Sequence, residues 1–71
     1  MSGSGDPAWE PGADDLRILA LLAEGQTVGS VSRRSGLSER TVRRRLRALA
    51  DDLGVDSTIE TVVHAVRLGL I

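Results

Sequence analysis

Arg40, Arg43, Arg44, Arg45 and Arg47 crowd into eight positions of the stretch GLSERTVRRRLRALADDL, residues 36–53. The whole chain has 71 residues and a formal net charge of -1. The chemistry open to arginine is narrow. Its planar fork stays charged and donates paired hydrogen bonds, which suits carboxylates, phosphates and the O6/N7 edge of guanine. From Arg33 to Arg47 there are seven arginines and one acid, Glu39, which leaves a local charge of +6. The other nine acids lie outside this window, with only Arg17 and Arg67 beside them. Such asymmetry is the electrostatic footprint of a nucleic-acid-binding surface, and the acidic sequence pI of about 5.7 conceals it.

Other chemistry has little to work with. There is no cysteine, so disulfides and thiolate metal sites are excluded. The single histidine, His64, lies in an apolar helical pattern and reads as a surface or interface residue. No carboxylates sit at metal-ligand spacing. Gly3 and Gly5 lack the strand–loop–helix setting of a phosphate loop. The chain is therefore not expected to be an enzyme, and no cofactor, metal or small-molecule ligand is expected in it. No apolar run approaches the roughly 18 residues of a membrane span, and Met1–Pro7 has no signal pattern. A cytoplasmic location is expected. All nine basic residues are arginine, a bias toward GC-rich coding rather than toward function.

Few elements are needed to position the arginines. Residues 1–13, MSGSGDPAWEPGA, are rich in Gly, Ser and Pro and lack periodicity, so they read as a flexible tail, a linker or a cloning remnant. Trp9 within them is either packed back on the core or exposed. Residues 14–71 read as one domain. Asp14–Glu24 predicts a first helix, with acids in the first turn and Leu16, Ile18, Leu19, Leu22 and Ala23 on an apolar stripe. Gly25 suits its C-cap. Thr27 predicts the N-cap of a short second helix to about Arg34, with Val28 and Val31 inward. Ser35–Gly36–Leu37 forms the turn. Ser38 caps a third helix, Glu39 to about Leu53, and Leu37 and Val42 fit a hydrophobic staple. Gly54 ends that helix. Ser57 and Glu60 fit a capping box opening a fourth helix that Gly69 stops. The expected fold class is all-α: four helices, with helices 2 and 3 as a helix-turn-helix and helix 3 as the recognition helix.

Val42, Leu46, Leu49 and Leu53 recur at spacings of four, three and four, which anchors helix 3 on the core. Arg40, Arg44 and Arg47 then share another face, and Arg43 neighbours Arg47 across one turn. That face fits a major groove, which admits one helix. Arg45 lies nearer the boundary of the stripe and is expected on a DNA phosphate. Ser38 and Thr41, with the open N–H groups at the helix start, are expected to hold another. A merely solvated face would mix signs to gain i,i+4 pairs. Here five like charges have only Glu39 close by, and they begin where helix-turn-helix folds make base contacts. The reading requires a helical 39–53 and guanidinium groups that are not consumed by the domain's own carboxylates.

On ILALLAEG, GLSERTVRRRL, LGVDS and the terminal AVRLGLI, in this order, residues 14–71 resemble the LuxR-type (GerE-type) DNA-binding domain. The resemblance implies a four-helix domain of bacterial transcription regulators that binds double-stranded DNA, with Arg43, Arg44 and Arg47 facing the major groove. It implies Thr41 near a phosphate, Val42 in the core, and a homodimer on DNA through the start of helix 4, at Ile59 and Val63. Helix 4 is apolar over more of its circumference than a one-sided surface helix needs. Val62 and Val66 are expected in the core, with Ile59 and Val63 either outward or in the core. The isolated domain is expected to be largely monomeric.

Three segments depart from the family pattern. PGADD replaces the usual Leu-Thr-x-Arg-Glu opening, with Asp15 nearest the Glu. Gly29-Ser30-Val31-Ser32 replaces Lys-Glu-Ile-Ala, and Thr58 replaces a customary Arg. Two rival readings remain open. One is a sigma-region-4-like promoter module working with RNA polymerase. The other is a helical protein-interaction module whose arginines meet an acidic partner.

Overall fold

The computed structural model describes residues 9–71. Its elements are α1 (Ala13–Ala23), α2 (Val28–Ser35), α3 (Glu39–Leu53) and α4 (Thr58–Arg67), with no strand among the described residues. The all-α, four-helix architecture expected from the sequence is the one found.

Local chemistry fixes the helix ends. Ser30 N–H donates to the Thr27 hydroxyl at 3.1 Å, Thr41 N–H to Ser38 at 3.1 Å, and Glu60 N–H to Ser57 at 3.2 Å. Each bond satisfies one of the orphan donors of a helix start. The Ser57–Glu60 pair closes differently from a standard box: the Ser57 hydroxyl donates to the Glu60 carboxylate at 3.0 Å. Helix α1 starts one residue earlier than expected, and Gly12, which has no side chain to cap with, precedes it. At the helix-turn-helix corner Gly36 adopts φ +78°, a left-handed conformation that L side chains avoid.

The core joins Ile18, Leu19 and Leu21 of α1 to Val31 of α2, Val42, Leu46 and Leu49 of α3, and Ala65 of α4. Leu37 packs on this cluster, of which Val42 is a member. Helix α3 packs against all three other helices. Its arginine face is thereby held by the most heavily supported element of the fold.

One of the two alternatives for Trp9 is realised, and the inward side of α4 differs from expectation. Trp9 is buried in the core cluster and meets the His64 ring edge-on, with centroids 5.9 Å apart. Residues 9–12 thus lead into the packed unit, and a boundary at residue 14 leaves out one of its core side chains; the rest of the expected tail, residues 1–8, lies outside the described residues. Val66, expected inward, is 52% exposed. The fully buried residues of α4 are instead Ala65 and Thr61, whose hydroxyl donates to the Ser57 carbonyl at 3.0 Å and so enters the core without a polar debt.

Candidate nucleic-acid interface

The turn that presents α3 is held by serines of α2. The Ser32 hydroxyl donates to the Leu37 carbonyl, and Leu37 N–H donates to the Ser35 hydroxyl at 3.3 Å. Arg17 of α1 donates to the Arg34 carbonyl at 3.3 Å, tying the end of α2 to α1. Ser32 and Ser35 of α2 thus fix the corner through hydrogen bonds.

On α3, Val42, Leu46 and Leu49 are buried, and Arg40, Arg43, Arg44 and Arg47 are exposed. At 100° per residue these four arginines span an arc of about 100°, which begins beside Ala50 at the edge of the buried stripe and runs outward from it. Arg43, Arg44 and Arg47 line one open cleft of 730 Å³, together with Leu46 and Ala50 of the stripe, the carboxylates of Asp51 and Asp56, and the α3–α4 loop. The expected base-reading residues therefore come together in a single concavity. Arg40, Arg44 and Arg47 have no ion-pair partner among the described residues. Arg43 does: its Nη2 lies 3.4 Å from Glu39 Oε1, in an exposed pair one turn apart.

Arg45 has a different environment. Its Nη1 donates to Asp15 Oδ1 on α1 at 3.2 Å, with the two side chains 40% and 22% exposed. The boundary position read from the stripe is right. The expected phosphate partner has a rival inside the domain, a carboxylate thirty residues earlier in the chain. Proximity of Asp15 to Arg45 depends on how α1 crosses α3, which spacing along one helix does not encode.

Ser38 and Thr41, expected on the DNA backbone, are joined to each other: the Ser38 hydroxyl donates to Thr41 Oγ1 at 3.0 Å. Both stand at the exposed or half-buried start of α3. Ile59 and Val63 on α4 are 76% and 42% exposed. With Val66 they fall within an arc of about 60° on the helix. Sequence reasoning missed Val66 in this stripe, although its i+7 spacing from Ile59 carries the signal.

Among the described residues no group of His, Cys, Asp or Glu is placed to hold a metal, and no helix is long and apolar enough to cross a membrane. No curated protein and no solved structure matches the chain. A family model does, over residues 16–59, from the first turn of α1 through the turn and α3 to the start of α4. With that match covering the helix-turn-helix and its arginine face, the chain belongs to the homeodomain-like domain family, a DNA-binding helix-turn-helix fold.

Proposed function

We propose that residues 9–71 are the sequence-specific, double-stranded DNA-binding domain of a bacterial transcription regulator of the LuxR type. Helix α3 enters the major groove, and Arg43, Arg44 and Arg47 read base edges. Arg40 and the Ser38–Thr41 start of α3 hold the DNA backbone. We assign Arg45 first to Asp15, as the tether between α3 and α1. The observation that carries the reading is the clustering of Arg43, Arg44 and Arg47 in one cleft, on a helix that the buried apolar stripe anchors to the core. Like charges at this density repel one another, and a polyanion relieves that repulsion. The domain works in the cytoplasm without a cofactor.

The LuxR-type assignment, over the sigma-region-4-like one, draws on α4. Its Ile59, Val63 and Val66 present an apolar stripe to solvent, which a second copy of the domain would cover. Two domains joined there would occupy adjacent half-sites on DNA. A single module contacts only about 600–1,000 Å² of DNA, so the isolated domain binds weakly.

The test is selection of binding sites from random duplex, followed by salt titration of the selected site. With about six phosphates neutralised, log affinity falls against log salt with a slope near -5. Arg44→Ala lowers the preference for the selected site by about 1–3 kcal/mol if a bidentate guanine contact is lost. Affinity at low salt no better than background, or an enriched pool with no common sequence, overturns the proposal.

A further inference from the structure

We infer that Glu39 is an internal competitor for DNA phosphate, and that it sharpens the discrimination between selected and random duplex. This rests on the DNA-binding reading above and adds a residue that works against affinity. Glu39 is the one acid among the seven arginines from Arg33 to Arg47. Its two carboxylate oxygens face different elements. Oε1 lies 3.4 Å from Arg43 Nη2 on α3. Oε2 lies over Gly29 in the first turn of α2, where a Cβ would stand 3.5 Å from it. The same point is 3.7 Å from Arg33 Nη1 and 3.8 Å from the Thr27 hydroxyl oxygen. The carboxylate thus pairs with one guanidinium of α3 and faces the positive end of α2, where Arg33 forms no ion pair with it. Those are the surroundings that a phosphate oxygen seeks.

The contact is built to be exchanged. Both partners of the Glu39–Arg43 pair are more than half exposed, at 52% and 65%. Exposed ion pairs contribute little to folding and are readily given up. A duplex that takes Arg43 must break this pair and bring its own negative charge close to Glu39. On random DNA that repulsion is uncompensated. On a selected site, hydrogen bonds from Arg43 to a base offset it. The carboxylate therefore weakens random binding more than selected binding.

Glu39→Gln keeps the shape of the side chain and removes its charge. The measurement is affinity for random and for selected duplex across salt, with Asp52→Asn as the control. Asp52 is an exposed acid on the same helix, and no arginine pairs with it. Glu39→Gln is expected to tighten random binding more than selected binding and to steepen the random-duplex slope by about 0.9, the increment of one more neutralised phosphate. The gain on random duplex is then about threefold larger at about 50 mM than at about 200 mM salt. In an Arg43→Ala background the gain shrinks. A thermal midpoint of Glu39→Gln near that of the parent shows that the change is not one of folding.

An unchanged random-duplex affinity, an equal gain on both duplexes, or an Asp52→Asn effect as large as that of Glu39→Gln overturns the inference while leaving the DNA-binding proposal standing. Failure of the parent domain to bind either duplex overturns the proposal itself.

Discussion

Trp9→Ala removes the only aromatic side chain other than the His64 ring from a site 8% exposed. A buried indole takes roughly 150–250 Å² out of water. At about 25 cal/mol per Å² this favours docking by roughly 4–6 kcal/mol. Two terms oppose it. Indole Nε1 is buried with no hydrogen-bond partner, which costs about 1–3 kcal/mol. Holding the backbone that leads into α1 costs about 1–2 kcal/mol per residue, and alanine, by releasing that backbone, recovers part of it. The expected net loss is about 2 kcal/mol, below the roughly 3–5 kcal/mol of a Trp→Ala change in a core that cannot let go. For a domain of this size each kcal/mol moves the thermal midpoint by about 4–8 °C, so melting followed by circular dichroism should show a fall of about 8–16 °C. Trp9→Phe keeps most of the ring and deletes the orphan N–H, and loses less than about 1 kcal/mol. A midpoint for Trp9→Ala within about 2 °C of the parent would refute the burial argument. A Phe variant as unstable as the Ala variant would refute the claim that apolar area carries the effect.

Three further outcomes follow from other contacts. The Arg45–Asp15 pair is partly exposed, so a double-mutant cycle of Arg45→Ala and Asp15→Asn in chemical denaturation yields a coupling of about 0.2–1 kcal/mol; zero coupling would show that the tether does not hold α3 to α1. Ile59→Asp, at a site 76% exposed, leaves the melting midpoint within about 2 °C of the parent. The same change abolishes cooperative filling of two adjacent half-sites in a footprint titration, and retained cooperativity would remove α4 from the dimer reading. Gly36→Ala forces a side chain into φ +78° with open space around it, so strain alone destabilises by about 1–2 kcal/mol; an unchanged denaturation midpoint would contradict that conformation.

The third helix was legible at both ends. Ser38 supplies a cap, Gly54 supplies a left-handed stop, and the apolar stripe between them has one period, so local signals agree. The arginine face followed from the same stripe. Trp9 was not legible, because a lone aromatic among Gly and Pro carries no period; its burial depends on a groove that exists only after α1 and α4 have packed. Val66 was misplaced because the apolar arc of α4 is wide, about 160°, and the inward side was settled by Ala65 and by Thr61, a polar residue that reaches its partner within its own first turn. Arg45 was placed at the right angle on its helix, yet its partner Asp15 became visible only once α1 crossed α3. Periodicity reports which way a side chain faces, while what it meets there is a property of the assembled fold.

The contact between Trp9 and His64 gives the domain a mechanical handle. The chain entering at Trp9 is fastened to α4, on the helix that carries the outer apolar stripe, before it reaches α1. Tension or rotation applied from upstream is therefore delivered to α4, through one ring against another, as well as to the core that Trp9 shares with α3. On the proposed reading, a sensor placed ahead of this domain would have a short lever on the helix whose outer stripe a second copy would cover.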